Sequence, residues 1–285
     1  MSDFWAVAPQ YLLPKLALTR LAGRFASSQS GGLTTAVIRW FVRRYNVNMA
    51  EAAEPDVAAY ATFNDFFTRP LKPGARPLDA ADWVCPVDGA ISQLGPISGD
   101  QVFQAKGHSY STTALVGGDA ALASQFQDGQ FATIYLSPRD YHRIHMPCAG
   151  SLTRMVYVPG ELFSVNPATA RGVPGLFARN ERVVCVFDTA FGPMVLVLVG
   201  ATIVGSMATV WHGMVNPPRL PDVRTWTYED DRISLGLGAE MGRFMLGSTV
   251  VMLWPQSADL RFQPDWSATR AVRMGETMAT SLARH

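Results

Sequence analysis

The amino-acid sequence predicts an α+β fold, in which N-terminal amphipathic helices are followed by a mainly β domain. Before about residue 60, apolar residues recur at helical spacing. After Pro77, short apolar runs are separated by Gly, Pro, Asp and Asn, which is typical of strands and turns. Helices and strands do not alternate, so a doubly wound parallel sheet is not predicted. We therefore expect a helical region over residues 1–60 and a mainly β domain over residues 61–285.

The composition limits the classes of function that fit this chain. Only 16% of the 285 residues are charged and 48% are hydrophobic, with a mean hydropathy of +0.08. So low a charge favours contact with a membrane or a large protein interface. The net charge of +1 provides no basic excess for neutralising phosphates, so we expect no nucleic-acid partner.

The cysteines and the N-terminus indicate a reducing compartment. Cys85, Cys148 and Cys185 are odd in number and form no CxxC pair, which predicts neither a disulfide framework nor a cysteine zinc site. The first residues lack the basic region of a secretory signal and soon reach Pro9 and Pro14. We therefore expect the chain to stay on the cytoplasmic side of the membrane.

The first amphipathic helix carries Leu18, Leu21 and Phe25 on one face, with Arg20 and Arg24 opposite. Two interpretations stay open: the helix docks on the protein core, or it lies on an anionic lipid surface. Further helices are predicted over residues 34–44 and 48–60. The aromatic segment 60–67 is predicted to dock on the core, and the prolines after it predict an extended connector.

Short apolar runs predict the strands of the second domain. The uncharged run Met194–Trp211 is long enough for a membrane-spanning helix, but its β-branched residues and two glycines favour two buried strands. The predicted strands are Trp83–Val84, Ala90–Leu94, Gln101–Gln104, Phe131–Leu136, Gly150–Val158, Arg182–Asp188, Val195–Val199, Ala201–Val210, Ile233–Leu237 and Ser248–Leu253.

Two of the five histidines, His142 and His145, lie three residues apart just after a predicted strand. On a helix, such a pair could bind one metal ion, but no nearby residue pattern supplies a third ligand. The histidines could also be structural, satisfied by the surrounding Arg and Asp. We favour acid–base chemistry, because imidazole titrates near neutral pH.

Gly247 and Ser248 interrupt the apolar run Phe244–Trp254 near the C-terminus. A bulge or a close backbone approach would explain the glycine without any function. Asp88, which is predicted to lie in a turn, can form a set with His145 and Ser248 in which the histidine takes the serine proton. Any chain of this length contains such triples, and no Gly-x-Ser-x-Gly motif supports the serine.

Longer motifs make the pattern specific. In chain order they are Phe63-Asn64-Asp65-Phe66-Phe67-x-Arg69, Pro86-Val87-Asp88-Gly89, Ser137-Pro138-x-Asp140-Tyr141-His142-Arg143-x-His145-x-Pro147, Phe163-Ser164-Val165-Asn166-Pro167, Phe177-x-x-Asn180-Glu181-Arg182 and Leu246-Gly247-Ser248-Thr249. Together they resemble the pyruvoyl-dependent phosphatidylserine decarboxylases of the bacterial and mitochondrial type. The motifs span about residues 60 to 255, so the resemblance covers most of the predicted β domain.

The resemblance implies that the chain cuts itself between Gly247 and Ser248, into a β chain of residues 1–247 and an α chain of residues 248–285. By analogy, His145, oriented by Asp88, removes the Ser248 hydroxyl proton, and the oxygen attacks the Gly247 carbonyl carbon. The new N-terminus at Ser248 becomes a covalent pyruvoyl group, which is the cofactor of that family.

The activity implied by the resemblance is decarboxylation of phosphatidylserine to phosphatidylethanolamine in phospholipid biosynthesis, through a Schiff base with the pyruvoyl group. His142 is expected to protonate the carbon that loses carbon dioxide. The expected location is peripheral, on the cytoplasmic face of the cell membrane. The expected partners are phosphatidylserine, an anionic membrane surface and the other processed chain, and a homodimer is compatible with them.

The residues that bind the phosphate, and the function of the chain as a whole, both have alternative interpretations. Arg69, Lys72 and Arg76 are candidates for binding the head-group phosphate, but a solvated connector explains them equally well. The chain could instead be a membrane-docked binding protein in which Asp88, His145 and the serine are structural. It could also be a hydrolase of lipid esters that uses the same three residues, and both alternatives predict an uncut chain.

Overall fold

The computed structural model describes residues 4–202, 206–217, 219, 221–228, 233–245 and 247–282. Within these ranges the predicted α+β class is confirmed, because the three longest helices precede a domain built mainly of antiparallel strands. None of the helices found there is long and apolar enough to cross a lipid bilayer.

Two of the predicted helices are confirmed, the amphipathic helix that carries Leu18 and Phe25 and the helix over residues 34–44. The helices are α1 (Phe4–Leu12), α2 (Lys15–Ala26), α3 (Gly32–Tyr45), α4 (Phe63–Phe67), α5 (Thr112–Leu115), α6 (Ala120–Ser124), α7 (Pro167–Gly172) and α8 (Leu176–Arg179). On α2, the side chains of Leu18, Leu21 and Phe25 are exposed, so this apolar face is not docked on the part of the protein that the structure describes.

The predicted helix over residues 48–60 is wrong. The structure has two isolated 3₁₀ turns there, Met49–Glu51 and Val57–Ala59. The side chains of Asn48 and Asp56 each accept a hydrogen bond from the backbone N–H two residues further on. Asn and Asp side chains compete with helical backbone bonds in this way, so each turn stops after three residues.

The predicted aromatic docking is confirmed. Phe66 and Phe67 of α4 are buried against Phe41 of α3, with ring centroids 5.9 and 6.0 Å apart. The α4 helix begins with a capping box. The Thr62 hydroxyl accepts a hydrogen bond from the N–H of Asp65, and the Asp65 carboxylate accepts one from the N–H of Thr62. The helical region is therefore attached to the β domain through α4.

The strands form one large sheet and three smaller ones. They are β1 (Trp83–Val84), β2 (Gly89–Pro96), β3 (Gln101–Ala105), β4 (His108–Ser111), β5 (Gln130–Leu136), β6 (Arg143–His145), β7 (Gly150–Val158), β8 (Arg182–Thr189), β9 (Gly192–Val199), β10 (Met207–Thr209), β11 (Gly213–Asn216), β12 (Arg224–Thr227), β13 (Ile233–Leu235), β14 (Glu240–Phe244), β15 (Ser248–Trp254), β16 (Leu260–Phe262), β17 (Ala271–Val272) and β18 (Thr277–Ser281).

The large sheet has the strand order β12-β7-β8-β9-β15-β5-β2-β17, with β13 also paired to β7. Its strand β15 is fully buried and pairs with β5 on one side and β9 on the other. Side chains alternate along a strand, so Val250 and Met252 join one hydrophobic core while Val251 and Leu253 join the other. Because both faces are covered, this antiparallel strand reads as a continuous apolar run.

The smaller sheets complete the domain. A four-stranded sheet of order β11-β10-β14-β6 shares the core of Val250, to which it contributes Ile144 and Phe244. A three-stranded sheet has the order β1-β18-β16, and β3 and β4 form a hairpin. This arrangement places the β6 strand, which carries His145, in the layer that covers one face of the large sheet.

The predicted strand Ala201–Val210 is confirmed only over residues 207–209, and residues 201, 202, 206 and 210 lie outside the strands. The strand β9 ends at Val199, and the next strand, β10, covers only Met207–Thr209 and belongs to the four-stranded sheet. The chain therefore turns between two sheets in the middle of the apolar run, and residues 203–205 lie outside the described ranges. The remaining predicted strands are present with bounds shifted by a few residues.

The segment after Gly247 is built into sheets formed by the earlier chain. β15 lies between β5 and β9, β17 pairs with β2, and β18 pairs with β1. A break before Ser248 would leave these backbone ladders and the cores beneath them in place. We therefore expect two processed chains to remain in one particle.

Candidate active site

The peptide bond between Gly247 and Ser248 lies at the start of the buried strand β15. Ser248 is fully buried, and its Cα is opposite Leu136, the last residue of β5. Its Oγ has no hydrogen-bond partner among the described residues. Burying an unsatisfied hydroxyl costs about 1–3 kcal/mol. The Oγ of Ser248 therefore makes no structural hydrogen bond among the described residues.

Gly247 has no packing reason to be glycine. A Cβ at this position would meet only the Leu136 carbonyl oxygen, at 3.9 Å, and β15 pairs with β5 without a bulge. The interpretation of Gly247 as a bulge or a close backbone approach therefore has no support. A cavity of about 210 Å³ opens beside this residue, between Phe41 and Tyr45 of α3 and the segment 164–166. Leu246 lies outside the described residues.

His142 follows a tight loop after β5. The Asp140 carboxylate accepts hydrogen bonds from the N–H and the hydroxyl of Ser137, both at 2.7 Å. The Asp140 carbonyl accepts from Nδ1 of His142 at 2.8 Å. A carbonyl can only accept, so Nδ1 carries the proton and Nε2 holds a lone pair. This loop therefore fixes the tautomer of His142.

The Nε2 atom of His142 is buried and has no partner among the described residues. Its ring packs on Phe67, with centroids 4.1 Å apart. Burial, opposed by the hydrogen bond to Asp140, lowers the pKa of His142 to about 3. His142 is therefore a neutral imidazole with a free basic nitrogen at physiological pH.

His145 lies at the end of β6 with both ring nitrogens occupied. Nδ1 donates to the Gly238 carbonyl at 2.8 Å, and Nε2 accepts from the Tyr141 hydroxyl at 3.1 Å. Burial is the main reason that the pKa of His145 is lowered, while the Gly238 carbonyl and nearby carboxylates, including Asp88, oppose the shift. His145 therefore also presents its lone pair at Nε2.

Asp88 lies next to the strand of His145 but does not contact the imidazole. The N–H of His145 donates to the Pro86 carbonyl at 2.9 Å, so the two segments are neighbours. The Asp88 carboxylate instead accepts from Nε of Arg76 at 2.9 and 3.1 Å and from the N–H of Met274 at 2.9 Å. The expected orienting contact between Asp88 and His145 is therefore absent, and the Gly238 carbonyl takes its place.

Arg76 links the helical region to this site. Besides Asp88, its Nη2 contacts the Glu51 carboxylate at 2.8 Å. Burial lowers the pKa of Arg76, but the hydrogen bonds and charges of Asp88 and Glu51 outweigh it and raise the pKa overall. Gly89 follows Asp88 in the motif and lets the chain pack closely against β5, because a Cβ at this position would collide with the Tyr135 carbonyl oxygen.

The structure therefore brings His142, His145 and Asp88 into one region, but it bonds neither histidine to Ser248 Oγ. Four contacts of the site were not predicted from sequence: those of His145 with Tyr141 and Gly238, and those of Asp88 with Arg76 and the Met274 N–H. Their only sequence signal was the density of polar residues in the segments of His145 and Asp88. Within the described ranges, no group of three or more His, Cys, Asp or Glu side chains is placed to hold a metal ion.

Comparison with known proteins decides the family. A sequence model of phosphatidylserine decarboxylase matches residues 63–280, which include Asp88, His142, His145, Gly247 and Ser248. The chain belongs to the phosphatidylserine decarboxylase family. A second family model, described as PSD, matches residues 5–46 of the helical region.

Full-length relatives in this family are similar along the whole chain. The phosphatidylserine decarboxylase proenzyme of Dechloromonas aromatica (strain RCB) is 72% identical over 281 residues, which cover 99% of both chains. The proenzyme of Delftia acidovorans (strain DSM 14801 / SPH-1) is 73% identical over 279 residues, which cover 98% of both chains. The similarity therefore extends through the helices as well as the β domain.

Proposed function

We propose that this chain is a proenzyme that cuts itself between Gly247 and Ser248 and then decarboxylates phosphatidylserine to phosphatidylethanolamine. Family membership supports the reaction and the proenzyme form. The observation that carries the self-cleavage is the buried Oγ of Ser248, which has no described hydrogen-bond partner and directly follows a glycine with open space where a Cβ would lie. Thr249 Oγ1 on the same strand is also without a described partner, so this observation supports the proposal together with family membership.

In the cleavage step, Nε2 of His145 takes the Ser248 proton and the Oγ attacks the Gly247 carbonyl carbon. The peptide C–N bond breaks, the nitrogen of Ser248 takes up the proton, and an ester links the two residues. Before this step, His145 must release the Tyr141 hydroxyl that occupies Nε2. Asp88 acts through its charge, which favours the protonated imidazole.

The ester then eliminates. Loss of the Cα proton of Ser248 breaks the Cβ–O bond, so Gly247 leaves as a free carboxylate and a dehydroalanine remains at the new N-terminus. Water hydrolyses its imine tautomer, ammonia leaves, and a pyruvoyl group is formed. The residues fit this group, because the strand end at Ser248 is buried and a cavity adjoins Gly247.

When formed, the pyruvoyl group supplies an electron sink for decarboxylation. His142 is the residue that moves the proton in this step. Its free Nε2 is proposed to deliver a proton to the carbon that loses carbon dioxide. Burial lowers the pKa of His142, so the imidazole is a weak base in the uncut chain and a strong acid once it is protonated.

The pyruvoyl proposal is tested by measuring the mass of the unmodified protein. Under denaturing conditions we expect two chains, residues 1–247 and 248–285, and on native size-exclusion chromatography we expect one particle. Hydroxylamine should add to the shorter chain, because it reacts with the ketone. A hydrolase that retained Ser248 would instead show an uncut chain that a serine-directed phosphonate labels, and that result would overturn the proposal.

The α2 and α3 helices are proposed to hold the enzyme peripherally on the cytoplasmic face of an anionic membrane. Leu21 and Phe25 on α2 and Trp40 on α3 are exposed, and Arg20 and Arg24 of α2 are exposed as well. Exposed apolar side chains mixed with arginines favour a lipid surface of negative charge.

Binding to vesicles tests this surface. Phe25→Glu should weaken cosedimentation with vesicles of phosphatidylserine and phosphatidylcholine by at least about tenfold, because burial of one aromatic side chain contributes about 1.5–3 kcal/mol. Phe103→Glu is the matched control, since Phe103 is 45% exposed and Phe25 41%, but Phe103 lies on the β3–β4 hairpin. Equal loss of binding in both variants would contradict the assignment.

A further inference from the structure

The three cations of the connector that follows α4, which are Arg69, Lys72 and Arg76, have different surroundings in the structure. Lys72 is exposed to solvent. Arg76 is committed to the carboxylates of Asp88 and Glu51. Arg69 is only 3% exposed, although a solvated connector would leave its side chain in water. Of the three, only Arg69 is both buried and without a carboxylate partner.

The guanidinium of Arg69 has few partners for its donors. Its Nε has none among the described residues, and Nη1 reaches only the Phe66 carbonyl, at 3.4 Å. No carboxylate in that part of the chain lies within 4.0 Å of it. The guanidinium also lies near the Phe66 ring, whose centroid is 5.3 Å from Cζ. Burial lowers the pKa of Arg69, which reflects this weakly compensated charge.

Another buried arginine shows what a structural arrangement looks like. Arg182 is also 3% exposed, but its Nε, Nη1 and Nη2 donate to the carbonyls of Leu115, Asn180 and Ala114 at 2.6 to 2.7 Å. Those bonds satisfy the guanidinium. Arg69 lacks an equivalent set, and a buried charge without partners destabilises a protein unless a ligand supplies them.

Arg69 lines a cavity of about 540 Å³ between the helical region and the β domain. The carboxylates on the same cavity already have donors: Asp88 and Glu51 are bonded to Arg76, Asp140 to Ser137, and Glu276 to Arg270. Asp88 and Glu51 act on Arg69 only through space, which raises its pKa by less than burial lowers it, and neither is hydrogen-bonded to its N–H donors. The cavity therefore contains a buried cation that an incoming anion can reach.

This cavity is lined by Asp88 and by the residues just before His142, whereas Gly247 lines the smaller cavity described above. Asp140 and Tyr141 line the larger cavity, and they immediately precede His142. Arg69 is close enough to His142 for its charge to contribute to the lowered pKa of the imidazole. The carbonyl of Thr68, the residue before Arg69, accepts from Nε of Arg143 at 2.8 Å. That bond fixes the position of Arg69 relative to β6.

We propose that Arg69 binds an oxyanion of the phosphatidylserine head group in this cavity. The inference rests on the proposed decarboxylation and adds the residue that recognises the charge of the substrate. A guanidinium binds either a phosphodiester or a carboxylate through paired N–H donors, and the head group carries both. Arg69 is thus a binding residue, and it takes no part in cutting the chain.

The test is Arg69→Met in the processed enzyme. Cleavage should be complete, and KM for phosphatidylserine in mixed micelles should rise about 10- to 100-fold, which corresponds to the loss of one hydrogen-bonded charge contact. The melting temperature should stay unchanged or rise, because an unpaired buried charge has been removed. Lys72→Met, which removes an exposed cation from the same connector, should leave KM within about twofold, as expected for a surface charge.

Two soluble inhibitors identify the oxyanion. Glycerophosphoserine carries a phosphodiester and a carboxylate, whereas glycerophosphoethanolamine carries the phosphodiester alone. If Arg69 binds the phosphodiester, Arg69→Met weakens both inhibitors; if it binds the carboxylate, only glycerophosphoserine is weakened. Unchanged KM and unchanged inhibition in a fully cleaved variant would overturn the proposal, as would a lower melting temperature with unchanged KM.

A third variant covers the case in which the methionine variant is not cleaved. Arg69→Lys keeps the positive charge and loses the planar pair of donors. It should cleave, and its KM should rise by less than the rise expected for Arg69→Met. An unchanged KM for Arg69→Lys together with unchanged inhibition would also count against the assignment. Failure of the underlying decarboxylase proposal is separate, because it would be seen in the unmodified protein as an uncut, inactive chain.

Discussion

Ser248→Ala is expected to give a single chain of 285 residues without decarboxylase activity. The substitution removes the only atom that can attack the Gly247 carbonyl, and it also removes the precursor of the pyruvoyl group. Folding should be retained, because Ser248 Oγ makes no hydrogen bond among the described residues and alanine fits the same strand position. Denaturing mass spectrometry and carbon dioxide release from carboxyl-labelled phosphatidylserine measure the two effects.

Thr249→Val is the matched control. Thr249 is the next residue of β15, is equally buried, and also has an Oγ1 without a described partner. Side chains alternate along the strand, so its hydroxyl faces the core on the opposite side of the large sheet from Ser248. We expect Thr249→Val to cleave. An active, uncut Ser248→Ala protein would falsify the pyruvoyl proposal, and loss of cleavage in both variants would show that strand packing is responsible.

The parts of the fold that could be predicted from sequence are those fixed by local patterns. The β15 strand was recognisable because both of its faces are buried, which leaves a continuous apolar run. The strands β16 and β17 were not recognisable, because each is three residues or fewer and depends on partners far away in sequence. The 48–60 helix failed because two side-chain caps, at Asn48 and Asp56, outweigh the helix propensity between them.

The residues of the site could be named from motifs, but their contacts could not. The bond from His145 to Gly238 joins residues 93 positions apart, and the bond from the Met274 N–H to Asp88 joins residues 186 positions apart. Such contacts depend on which strands become neighbours, and no spacing in the sequence encodes that. The motif predicted Asp88 as a site residue, while the bond between Asp88 and Arg76 became visible only in the folded chain.

His145→Gln and His142→Gln are expected to separate the two reactions. Glutamine has nearly the volume of histidine but cannot accept a proton near neutral pH. His145→Gln should slow cleavage by roughly 10²–10⁴-fold, the usual contribution of a general base, so that the uncut chain accumulates. His142→Gln should cleave and react with hydroxylamine, but its decarboxylation rate should fall by roughly the same factor.

The pH dependence gives a second test of the cleavage base. His145 acts when neutral, and burial lowers its pKa below the usual value. The cleavage rate should therefore be constant around pH 7 and fall only as the pH drops through that lowered pKa. A rate that halves near pH 6.5 would indicate a solvent-exposed histidine instead.

Tyr141→Phe distinguishes the role of His145 from that of its neighbour. The Tyr141 hydroxyl donates to the same Nε2 that must receive the Ser248 proton, so its removal frees the base without removing it. Cleavage of Tyr141→Phe should be at least as fast as that of the unmodified chain.

If His142→Gln blocks cleavage while His145→Gln cuts normally, the roles of the two histidines are exchanged. One feature of the structure favours His142 as the base for cleavage. Nε2 of His142 has no described partner in the uncut chain, whereas Nε2 of His145 must first release the Tyr141 hydroxyl.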